Sequence, residues 1–288
     1  MNIRFVTIFM NGFLMIAMPV GLAIILTRKF KLHWRLFTIG AVTFVLSQVG
    51  HIPFNALINP VFNRIEFISL HPTIQLLIQA GFLGLSAGIF EEFSRYAMYR
   101  WWAKDARSWG MGLLAGAGHG GIEAIILGVL VLYGFLQIAI LSSVDVAQIV
   151  PAAKVETVRS QVAAVLSMPV YTTILGAVER LFAILLHLAC SLLVMQAFTR
   201  RKVGWVWLAV LWHALTDGVA VYALGAGFSP LVIEGVVGLF AIVSIVLIFV
   251  LHLPEPQQEL VSHPAALVVF SPKPLEETDE NLEKTRFQ

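Results

Sequence analysis

The stretch Gly88-Ile-Phe-Glu91-Glu92-Phe-Ser-Arg95 sets two adjacent carboxylates and an arginine near the end of a run, Pro72 to Phe90, that is otherwise apolar enough to cross a bilayer. A charge at that depth is expensive, so it faces a partner or a wet cavity. On a helix Glu91 and Arg95 are four apart and Glu92 and Arg95 three apart, so either acid reaches the guanidinium. One acid can be neutralised by the arginine while the other is left to handle protons.

Three later apolar runs carry further groups that such chemistry could use. Gly116-Ala-Gly-His119-Gly-Gly-Ile-Glu123 puts His119 and Glu123 on one helical face, and Gly112, Gly116 and Gly120 form a stripe that lets a neighbouring helix approach closely. A later run holds Glu179, Arg180 and His187. The next holds Trp212-His213-Ala-Leu-Thr-Asp217, where the acid lies one turn beyond the histidine and can fix its tautomer or share a metal or a water with it. The plainer alternative for each histidine is a hydrogen bond across a helix interface. Depth argues for one site: counted at 1.5 Å per residue from the cytoplasmic ends, Glu91, Glu92, His119, His187, His213 and Asp217 all fall at ~12–20 Å.

Glu179 and Arg180 fall near 30 Å by that count and read as a structural ion pair or an interfacial anchor. Gln48, His51 and Asn55 fall at ~20–30 Å, where they either line the cavity on the substrate side or hydrogen-bond neighbouring helices. Ser86, Ser94 and Thr216 lack the Gly-x-Ser-x-Gly setting of a serine nucleophile. Cys190 reads as a small apolar core residue.

The elements that must position these groups are membrane spans. The chain has 288 residues, 58% hydrophobic and 12% charged, about half the charge of a soluble domain. A net charge of +2 gives no case for nucleic acid, and one cysteine excludes an internal disulfide framework and a four-cysteine zinc site. The expected fold is all-α, a polytopic bundle of about seven transmembrane helices: Phe5–Leu26, Leu36–Ile58, Pro72–Trp102, Trp109–Leu141, Tyr171–Phe198, Trp205–Leu224 and Leu231–Leu251. The first run lacks a convincing cleavage site and reads as a retained helix. Arg28, Lys29, Lys31 and Arg35, then Lys104 and Arg107, then Arg200, Arg201 and Lys202 mark alternate connections, which puts the N-terminus outside and the C-terminus in the cytoplasm. The connection Ser142 to Pro169 is amphipathic in places and suits a short surface helix. Residues 1–252 form the expected catalytic domain; residues 253–288 read as an acidic, disordered tail. No internal repeat and no separate soluble domain are evident.

Glu91-Glu92-x-x-Arg95, a histidine in each of the next spans and His213-x-x-x-Asp217 resemble the superfamily of type II CAAX prenyl endopeptidases and bacteriocin-processing enzymes. Gly118-His119-Gly-Gly-Ile-Glu123 most resembles the YhfC family of intramembrane metalloproteases, whose relatives include PrsW and the gamma-secretase scaffold subunit. The resemblance covers roughly residues 5 to 252. It implies Glu91 and Glu92 as catalytic acids, Arg95 as their partner, and His119, His187, His213 and Asp217 as the later motif positions. This chain has two residues between the second Glu and the Arg where the CAAX enzymes have three, as in PrsW. Ala115 and Ala183 stand where a Phe-x-x-x-His motif has phenylalanine, so either His119 or His187 fills that role. The last motif ends in Asp217 rather than Asn.

The expected activity is hydrolysis of a peptide bond in a membrane peptide or protein substrate, by a multi-pass protein of the bacterial plasma membrane. A glutamate activates water, and His119, His187 or His213 polarises the carbonyl directly or binds a metal that does so, zinc being the candidate ion. Glu123 stands behind the histidines. Rival readings are an ion- or proton-coupled transporter, a non-proteolytic scaffold and a haem-binding bundle.

Overall fold

The computed structural model describes residues 3–252, all of whose regular elements are helical. The tail expected at 253–288 lies outside the described residues. Among the described residues nine α-helices follow in order: α1 (Ile3–Phe30), α2 (Arg35–Ile58), α3 (Ile65–Ile68), α4 (Pro72–Ala97), α5 (Trp109–Ser143), α6 (Val155–Ser167), α7 (Leu175–Thr199), α8 (Gly204–Gly225) and α9 (Pro230–Val250). Seven helical stretches are long and apolar enough to cross a membrane. They match the seven runs expected, and the molecule is a multi-pass membrane protein. The short α6 occupies the connection that suited a surface helix.

Local sequence sets several starts. Pro72 and Pro230 each occupy the first turn of their helix, where a missing N–H costs nothing. The Ser108 side chain accepts from the Met111 amide, capping α5. α4 runs on into a π-helical turn, Met98–Trp102, before the chain reverses.

The centre of the bundle is α7. Every residue from Leu186 to Ala197 is buried, the polar His187, Ser191 and Gln196 included. Helices α4, α5, α8 and α9 pack around it, with α1 and α2 against α5. Two of the glycines that permit close helix crossings lie beside the polar residues. A Cβ at Gly88 of α4 would lie 2.6 Å from the Val210 carbonyl of α8, and one at Gly120 of α5 would lie 2.8 Å from Cβ and Cγ of His187.

The basic connections meet at one end of the bundle. Arg35 bridges to Asp105 at 2.8 Å and donates to the Trp102 carbonyl. Arg107 donates to the Tyr99 carbonyl and lies over the Phe198 ring at 4.6 Å, and the Trp109 indole donates to the Ile248 carbonyl. At the opposite end Arg4 donates to the Met168 carbonyl and Asn11 accepts from the Ala177 amide.

Candidate active site

The acidic pair is built by α4. Glu91, Glu92 and Arg95 are all buried, with Glu92 and Arg95 fully so. Consecutive residues on a helix diverge by about 100°, so the two carboxylates enter different surroundings.

Glu92 faces α8. Its Oε1 takes both the Arg95 guanidinium and, at 2.6 Å, Nδ1 of His213. The other ring nitrogen of His213 is 3.3 Å from Asp217 Oδ2. Carboxylate oxygens therefore stand at both nitrogens, an arrangement that only the doubly protonated ring satisfies in full.

Glu91 faces α2 and α5. Its Oε1 accepts from the Gln48 amide at 3.0 Å, and its Oε2 is 3.1 Å from His119 Nε2. The same Oε2 lies 3.9 Å from His213 Nε2 and 4.0 Å from both His187 Nδ1 and Arg95 Nη2. One carboxylate oxygen thus has three imidazoles and a guanidinium within 4 Å.

His187 has a defined tautomer. Arg95 Nη2, which can only donate, is 2.6 Å from Nδ1. The proton is then on Nε2, which donates to Glu123 at 2.9 Å. Glu123 also takes Arg180 at 2.6 Å. Arg180, expected as an outlying anchor, is thereby tied to the site through Glu123 and His187, because its long side chain spans the turns that the depth count placed between them. Its other partner is Glu179, the ion pair that was expected.

The structure brings Glu91, Glu92, Arg95, His119, His187, His213 and Asp217 into one connected cluster, with Glu123 behind His187. Two residues were undervalued from sequence. Gln48 holds Glu91 directly. Cys190 is fully buried, as a core residue would be, yet its sulfur lies with donor atoms of Glu92 and His213, all within 4.8 Å of one another. The signal was its spacing: Cys190 follows His187 by three residues and shares its helical face.

The donor sets suit a metal. Glu91, His119 and His187 offer one atom each, mutually within 4.8 Å, and Glu92, Cys190 and His213 do the same. The three histidines expected as one ligand set are divided between these groups. Nitrogen and carboxylate donors fit zinc. Three buried polar atoms, His119 Nδ1, Glu92 Oε2 and Arg95 Nε, have no hydrogen-bond partner, and such atoms are costly unless a ligand or water satisfies them. An ion held by the first group would displace the proton shared by His119 and Glu91 and, at His187 Nδ1, the hydrogen bond from Arg95.

A family model described as YhfC intramembrane metalloprotease matches residues 14–237, which include every residue of this cluster. Over 244 residues the chain is 32% identical to a Bacillus subtilis (strain 168) protein called "Uncharacterized membrane protein YhfC", an alignment covering 82% of this chain and 92% of that relative. No solved structure matches the chain.

Proposed function

The chain belongs to the YhfC intramembrane metalloprotease family, and from that premise we propose that it is an endopeptidase cutting a membrane-associated or membrane-spanning peptide within the plasma membrane, its N-terminus outside and its C-terminus in the cytoplasm. The observation that carries the reading is the setting of Glu91: a buried carboxylate with one oxygen held by Gln48 and the other within 4 Å of His119, His187, His213 and Arg95.

Glu91 Oε2 is the general base. It takes a proton from water while the water oxygen bonds to the scissile carbonyl carbon. Arg95 and His213 are the positive groups close enough to stabilise the oxyanion that forms. When the tetrahedral species collapses, the C–N bond breaks and the proton passes from Glu91 to the leaving amine, so one water yields an acid and an amine. Glu92 anchors Arg95 and His213 in this arrangement, and Asp217 and Glu123 orient His213 and His187 from behind. Where a divalent ion, zinc foremost, is bound, Glu91, His119 and His187 would hold it and Glu91 would serve as ligand in place of base, the ion supplying Lewis-acid polarisation of the carbonyl.

The test is cleavage of membrane peptides by purified protein in vesicles, comparing wild type with Glu91→Gln and Glu92→Gln. Loss of cleavage in Glu91→Gln with retained folding is expected. Full activity in that variant removes the proposed base.

A further inference from the structure

A chain of hydrogen bonds leads away from Glu91 along α2. Asn55 Nδ2, which can only donate, is 2.9 Å from His51 Nε2. The same Nε2 is 3.1 Å from the Ser86 hydroxyl; with Nε2 accepting, the His51 proton is on Nδ1, which donates to Gln48 Oε1 at 3.1 Å, and the Gln48 nitrogen donates to Glu91. The far end of the chain is open: Asn55 Oδ1 is buried and has no hydrogen-bond partner. Asn55 lines a cavity of about 350 Å³ between α4 and α2 with the turn that follows it, together with Ala56, Asn59, Phe62, Gln79, Phe82 and Leu83.

The lining combines three amides with four aromatic or aliphatic side chains. A lipid acyl chain would satisfy the apolar side chains and leave the amides unpaired, which is costly in hydrocarbon. An extended peptide satisfies both, since it carries backbone N–H and C=O groups alongside its side chains. Distance agrees. Gln48 and Asn55 are seven residues apart, about 10 Å on a helix, and Phe82 and Glu91 nine apart, about 14 Å. An extended chain covers that span in about three to four residues.

We propose that this cavity is a substrate subsite that takes a large apolar side chain about three to four residues from the cut bond, while a backbone N–H of the same peptide donates to Asn55 Oδ1. The inference rests on the protease reading above. It gives the enzyme a sequence preference at a distance from the reacting atoms, which the acidic pair and histidines alone would not supply.

The test is full-length protein in phosphatidylcholine–phosphatidylglycerol vesicles containing a library of apolar peptides of about 25 residues, long enough to span, with products identified by mass spectrometry. Wild type is expected to favour Phe or Leu over Ala at one of those positions by about tenfold. Ala56→Phe, which fills the cavity, should bring the ratio near one, and Phe82→Ala, which widens it, should move the preference toward Trp. Each ratio compares products of one preparation, so it does not depend on how much of a variant folds. Cleavage with no preference at those positions, or with a preference unchanged in both variants, overturns the subsite and leaves the protease standing. Folded wild type that cuts no peptide overturns the protease reading and the subsite with it.

Discussion

Glu91 and Glu92 are neighbours in sequence and belong to different compartments of the same site. Glu92 is fully buried, with one oxygen shared between a guanidinium and an imidazole. Glu91 is nearly as buried, yet its closest partners are an amide and a histidine, with the guanidinium at 4.0 Å. A carboxylate pinned by a full countercharge makes a poor base and a good anchor. One held only by an amide and an imidazole, with no full countercharge in contact, is left able to take a proton. The 100° step between adjacent helical residues thus turns a sequence repeat into a division of labour.

The sharpest way to break that division is to neutralise each acid separately. Glu91→Gln is expected to lower cleavage by about 10²–10⁴-fold, the scale of a general base, with little change in thermal unfolding. Glu92→Gln should instead destabilise the fold by about 3–5 kcal/mol, because it leaves Arg95 buried without its countercharge. Thermal unfolding in detergent reads the second effect, and adding Arg95→Met to Glu92→Gln should restore part of the loss. Equal stability losses in the two glutamine variants would erase the contrast.

Metal content sharpens the same comparison. If the Glu91 compartment holds the ion, His119→Ala and His187→Ala proteins should each purify with at least about tenfold less bound zinc, while Cys190→Ser and His213→Ala proteins keep it. Elemental analysis of the four preparations decides. The reverse pattern would assign the ion to Glu92, Cys190 and His213.

Much of this was legible before any coordinates. Twenty-residue apolar runs and basic connections specify helices and their alternation, because a bilayer leaves the backbone few other choices. Depth counting gathered Glu91, His119, His187 and His213 at one level, since rise per residue is fixed. Counting along axes says nothing of azimuth or reach, however. That is why Arg180 was set apart, although its side chain extends to Glu123, and why the division of His213 from His119 and His187 was not visible. Cys190 was passed over because burial and reactivity look alike in an apolar run. Gln48 was placed at the right depth, but only the packing of α2 against α4 decides that it reaches Glu91.

Behind the Glu91 compartment stands Glu123, which holds His187 and Arg180 together. Glu123→Gln keeps the shape and weakens the acceptor, so cleavage should fall by about tenfold, at the low end for an orienting group. Glu123→Ala should lose more, and a kcat–KM split would place the loss in kcat. A change confined to KM would mean that Glu123 meets the substrate instead.

The weakest effect belongs to an ion pair outside the membrane. Arg35, the first residue of α2, and Asp105, in the connection before α5, meet at the basic end, with about half of each side chain exposed. The hydrogen bond from Arg35 holds the Asp105 carboxyl below its usual range. The stabilisation is therefore present above the ordinary aspartate value of about 3.9 and is lost as pH falls through the lower folded value. Exposed pairs of this kind contribute about 0.2–1 kcal/mol at most, and salt screens them. Asp105→Asn should thus shift thermal unfolding slightly at neutral pH, and not at all at acid pH or in high salt. A loss rivalling that of Glu92→Gln would show that the buried and exposed arginine–carboxylate pairs do not differ as their surroundings require.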